Sequence, residues 1–135
     1  MNEFFIFILG IAAGGIGYLL VTFWFSPIIR YRTAKHKILS DLIFFANVIN
    51  ADNLSELLKE RFYKRIEADR RHSAELTACF FEMPSWYIKW LEFRGEKPQK
   101  ASQELMGLSN TFDNDSAHLR IEKIKNHLRF NTDVV

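Results

Sequence analysis

Little in this sequence marks an enzyme. It holds one cysteine, Cys79, among 135 residues, which excludes an internal disulfide, and the flanking Leu76 and Phe80 make it a buried small hydrophobe. No H-E-x-x-H, C-x-x-C, G-x-S-x-G or P-loop pattern occurs. The glycine-rich Gly14-Gly15-x-Gly17 falls inside an apolar run, where it meets no phosphate. His118 and His127 stand nine residues apart on one helical segment and point to opposite faces. Asp115 and His118 fall at i, i+3, but a metal site takes three or four ligands. We therefore assign no catalytic, cofactor-binding or metal residue and expect a non-enzymatic protein. No strand pattern, internal repeat or low-complexity tract competes with a helical reading. The net charge of +2 is no nucleic-acid footprint, so no nucleic-acid partner is expected.

Charge is missing altogether from Phe4 to Phe25, and no Lys or Arg precedes Arg30. Twenty-two residues at about 1.5 Å rise make a helix of roughly 33 Å, enough for a hydrocarbon core about 30 Å thick. A cleaved signal peptide fits poorly: Glu3 makes the leader acidic, the run is too long, and its end is the bulky Phe23-Trp24-Phe25. A buried core helix also fits poorly, because a chain this short has too little material to surround a helix apolar on every face. A retained span from about 4 to 25 is the expectation. Arg30, Arg32, Lys35 and Lys37 follow at once, placing the N-terminus outside the plasma (inner) membrane and the remainder in the cytoplasm. These four are also the expected contacts with anionic lipid. Trp24 and Tyr31 suit the headgroup region, and Pro27 is expected to kink or break the helix where it leaves the bilayer.

Within the run, Gly10, Ala13, Gly14 and Gly17 repeat at i, i+3, i+4, i+7, so they form one stripe of small residues. Such a stripe lets a second helix approach closely in lipid, which points to a homo-oligomer. Glycine is also simply common in membrane helices.

Residues 28–130 hold all 18 basic residues and 14 of the 16 acids, enough chain for one small domain. Apolar Ile28, Tyr31, Ile38, Leu42, Phe45 and Ile49 predict a helix from about Pro27 to Ile49, with Lys35 interrupting its heptad. Asn50, Asp52 and Asn53 predict a turn, and Asn53 with Glu56 the cap of a second, long helix that Pro84 stops. Its middle, Ala68 to Glu75, is unusually polar, which fits either a protruding stretch or a working face. Ser85 to Phe93 predicts a short aromatic helix ended by Gly95, with Glu96 to Gln99 a loop. Pro98 opens a helix with Ala101, Leu105, Leu108 and Phe112 on one face, and a last helix runs from about Ala117 to Phe130. The expected fold is all-α: an anchor over residues 1–27, an antiparallel bundle of about four helices over 28–130, and a frayed tail at 131–135.

Two surface features carry candidate function. Arg61, Arg65, Arg70 and Arg71 make a candidate face for an anion or an acidic partner, since arginine forks match such groups; the alternative is a solvated face laced with ion pairs. Trp86, Tyr87, Trp90 and Phe93 fall within eight residues, either packed in the core and at the membrane interface or offered to a protein partner.

The basic juxtamembrane helix with Phe44-Phe45-Ala46-Asn47, and Leu105-Met106-Gly107-Leu108-Ser109-Asn110 late in the chain, resembles uncharacterised small bacterial proteins with an N-terminal anchor. The resemblance implies an anchored cytosolic helical domain and carries no activity. The expectation is a membrane-tethered interaction or regulatory module that self-associates through its span; the alternative is a small toxin or defence effector that perturbs the bilayer on oligomerisation.

Overall fold

A computed structural model describes residues 2–49 and 55–130. Those residues are all-helical, with no strand among them. The turn expected at Asn50, Asp52 and Asn53, the Asn53 cap and the tail 131–135 lie outside them.

The first helix, α1, runs from Asn2 to Phe44 without interruption. Its first part, Asn2–Leu20, buries no residue, and the helix is long and apolar enough to cross a membrane. No break in helical geometry occurs at Pro27. Instead the turn before it, Val21–Phe25, widens to π geometry, with the Ser26 N–H bonded to the Val21 carbonyl five residues back. A proline ring inside an α-helix collides with the carbonyl four residues earlier, here Phe23. A widened turn relieves such a collision and lets the helix continue. The apolar run and the domain therefore share one element.

Past the proline, α1 turns from apolar on all sides to amphipathic. Tyr31, Ala34 and Ile38 are buried, one turn apart. The helix ends at Phe44, short of Ile49; Val48 and Ile49 are still buried, but from the segment that follows. Tyr31, expected among headgroups, is instead 1% exposed in the core.

Four helices follow: α2 (Glu56–Glu82), α3 (Ser85–Phe93), α4 (Pro98–Ser109) and α5 (Asn114–His127). Helix α2 begins after Ser55 and ends at Glu82, with extended Met83 as its cap just before Pro84. Helix α5 is capped by Asp113, whose carboxylate accepts the Ser116 N–H at 2.9 Å. Helix α4 packs on both α2 and α5, and α2 packs on the second part of α1. One core joins them, from Ile38, Leu76 and Cys79 to Leu105, Ile124 and Leu128. Burial raises the Cys79 thiol pKa, leaving the group inert.

Helix α3 ends in a Schellman turn. Gly95, at φ +75°, donates to the Glu92 carbonyl and Glu96 to the Leu91 carbonyl, both at 2.9 Å. The left-handed position needs glycine. The turn throws Glu96 back inside, where it is 2% exposed rather than part of a surface loop.

Candidate functional site

The polar middle of α2 is two-sided: Arg70, Arg71 and Ala74 face water, and the opposite side is enclosed. Arg65, Asp69, His72 and Ser73 are all buried. Arg65 Nη1 lies 3.2 Å from Asp69 Oδ2, and both side chains are about 95% enclosed. Arg65 Nη2 also points to the Thr111 carbonyl at 3.5 Å, and its guanidinium sits over the Phe62 ring. One turn on, His72 Nε2 meets Asp41 Oδ2 at 2.7 Å; the carboxylate accepts, so Nε2 carries the proton. Ser73 donates to the Ser102 carbonyl at 2.8 Å and Ser102 back to the Ser73 carbonyl at 2.9 Å, tying α2 to α4. These polar residues are interior fasteners between helices.

The four arginines proposed as one face therefore part company. Arg65 is internal. Arg61 covers the Phe44 ring, Arg70 donates to Asn110 at 3.2 Å, and Arg71 pairs with Glu67 at 2.8 Å.

Burial pushes the Asp69 carboxyl up to about 7; Arg65 opposes the shift and the Asp41 charge adds to it. Burial also lowers the Arg65 pKa, against the pull of Asp69. A carboxyl that holds its proton more tightly folded than unfolded contributes stability below its unfolded value of 3.8, and that contribution fades as pH rises through about 7. Across that window the loss is on the order of 4 kcal/mol. Asp69→Asn should flatten the pH dependence of urea unfolding there; parallel curves for the two proteins would contradict this.

A second polar cluster lies where α1 leaves the apolar run. The Tyr31 hydroxyl donates to Glu96 Oε1 at 2.5 Å, and Lys35 Nζ reaches the same oxygen at 2.8 Å. Burial first, then this bond, raises the Tyr31 pKa, so the phenol stays protonated. The other basic residues of this stretch divide. Arg30 pairs with Glu82 at 2.6 Å and Lys37 stands 3.9 Å from Glu75, while Arg32 has no ion pair among the described residues.

The aromatic helix α3 leans on this stretch. Tyr87 is buried, edge-on to Tyr31 at 6.4 Å between ring centroids. Trp86 is half exposed, 6.5 Å from Trp24 at the end of the apolar run. Trp90 stacks on Tyr87 and carries the Arg94 guanidinium at 4.7 Å, and Phe93 is 90% exposed. So three of the four aromatics reach the surface and one belongs to the core. Alanine at Trp86 or Trp90 should change unfolding free energy by no more than about 1 kcal/mol, and Tyr87→Ala should cost about 3–5. Denaturant unfolding checks this, and equal losses at all three positions would contradict it.

Between α1, α3 and Glu96 lies a cavity of about 340 Å³. Ile28, Tyr87 and Trp90 give it apolar walls, and Arg32, Lys35, His36 and Arg94 give it a basic lining. Among the described residues no group of three or more His, Cys, Asp or Glu side chains is placed to hold a metal ion. The stripe Gly10, Ala13, Gly14 and Gly17 lies far from this cluster, and a Cβ added at any of its three glycines would meet nothing within 4 Å.

Motif scanning marks neither cluster. The one signal in the sequence for the first is the acid–base spacing of Arg65 and Asp69, which a surface pair shares. Glu96 has no signal of its own, because the Gly95 turn decides where it points. Comparison with known proteins finds no matching family model, no matching curated protein and no matching solved structure.

Proposed function

We propose that this chain is a single-pass membrane protein whose cytoplasmic helical domain is a non-enzymatic interaction or regulatory module, assembled into oligomers through its span. One observation carries this reading. The part of α1 that buries nothing against its own chain continues without a break into the part whose Tyr31, Ala34 and Ile38 sit in the domain core. A helix apolar on every face needs a lipid or protein surround. Because its far end is core, a change of helix contacts in the membrane reaches the domain through a rigid rod.

The domain is proposed to be an antiparallel bundle. Supporting this, Arg30, Lys37 and Asp41 of α1 pair with Glu82, Glu75 and His72 of α2, in descending order along the second helix. Absence of positive charge before the run and the basic cluster after it support an N-terminus outside and a cytoplasmic domain. The exposed rings of Trp86, Trp90 and Phe93 are the face for a protein partner.

Two measurements test the anchor. The full chain should stay in the membrane pellet through alkaline carbonate extraction, and a protease added outside intact cells should leave the domain uncut. Release by carbonate would sink the anchor, and digestion of the domain from outside would reverse its orientation.

A further inference from the structure

The basic cavity has a definite height relative to the apolar run. At about 1.5 Å per residue, Ile28 stands about 5 Å and Arg32 about 10 Å past Phe25 along α1. The headgroup layer on each side of a bilayer is about 5–8 Å deep. Contact between Trp86 and Trp24 holds α3, and with it Trp90 and Arg94, at the same end of the domain. The cavity thus lies at the level of lipid phosphates and just beyond.

Its charges are not balanced. Three cations, Arg32, Lys35 and Arg94, face one carboxylate, Glu96. Glu96 is already satisfied by Lys35 and by the Tyr31 hydroxyl. Arg32 and Arg94 have no ion pair among the described residues. Arg94 lies over Trp90, an arrangement that leaves the edge of a planar guanidinium open to an acceptor. Two guanidinium forks at one cavity match the oxygens of a phosphate, and the Ile28 and Trp90 walls suit the carbon next to it.

We propose that this cavity binds the phosphate group of an anionic headgroup, gripped by Arg32 and Arg94 with His36 alongside. The proposal rests on the membrane-anchored reading and names a ligand class for its cytoplasmic side. It also separates Arg32 from Arg30 and Lys37, which carry the same charge but are engaged by Glu82 and Glu75.

The test uses the full chain in nanodiscs of phosphatidylcholine with a minority of phosphatidylglycerol, with native mass spectrometry counting the lipids retained. Arg32→Gln with Arg94→Gln should weaken retention of phosphatidylglycerol by about thirtyfold, the surface attraction of two side chains. Arg30→Gln with Lys37→Gln removes the same charge and should change it by no more than a few-fold. Equal losses in the two double variants, or no preference for phosphatidylglycerol in the wild type, would overturn the site. Inorganic phosphate titrated into neutral nanodiscs separates the sources. Tight, Arg32-dependent binding there keeps the phosphate site and moves its ligand to solution; its absence leaves the lipid. If the chain does not enter nanodiscs, the anchor reading fails, and the inorganic-phosphate titration in detergent alone decides the site.

Discussion

With Arg65 replaced by methionine, the domain should lose about 3–5 kcal/mol at alkaline pH, where Asp69 must ionise, and replacing Asp69 by leucine in the same chain should return most of that loss. Both side chains are nearly sealed from water, 3.2 Å apart. Removing one partner leaves a charge in the interior with nothing to offset its desolvation, whereas removing both leaves an apolar contact between α2 and the Thr111 segment. The single variant should also be acid-tolerant. Burial already lifts the Asp69 carboxyl to about 7, and without the arginine it rises further, so lowering the pH lets Asp69 take a proton and shed its charge. Urea unfolding of the full chain in detergent, followed by far-ultraviolet circular dichroism, reads all three proteins. A double variant as unstable as the sum of the singles would show that the pair does not act as a unit.

Gly10→Leu with Gly14→Leu should abolish crosslinked oligomers at concentrations where the wild type is fully assembled, a loss of at least about tenfold in association. Nothing of the chain's own lies within 4 Å of a Cβ at either position, so the added bulk strikes no part of the same protomer. Whatever it disrupts is intermolecular. Ala12→Leu adds bulk off the stripe and should leave the oligomer intact. Unchanged oligomers in the glycine variant would remove the stripe from the account, and equal loss in the Ala12 variant would reduce it to a general effect of helix bulk.

The helices were legible in the sequence because each carries its own punctuation. Pro84, Gly95 and Pro98 sit where the structure starts or stops an element, and the period of Ala101, Leu105 and Leu108 marks a buried face. Legibility failed where the outcome depended on a partner distant in the chain. Arg65, Asp69 and His72 look like a solvated face until Asp41 and Thr111 close over them. Lys35 looks like a flaw in a heptad until Glu96, sixty-one residues on, accepts its proton-bearing nitrogen. Pro27 looks like a break because the rule for a proline in α-geometry does not foresee a π turn placed just ahead of it. Nor does the sequence show that the Arg120 guanidinium, reaching toward Glu104, crosses over Gly107.

Continuity of α1 through Pro27 is what joins the apolar run to the core, and its length can be measured directly. Spin labels at Ala12→Cys and Ser40→Cys, both exposed, in a Cys79→Ala background and diluted with unlabelled chain, report the distance across the junction by double electron–electron resonance. Twenty-eight residues of unbroken helix give a single narrow peak near about 42 Å. A broad distribution, or a peak well short of that value, would mean that the helix bends or breaks at the proline and that the span is not rigidly coupled to the domain.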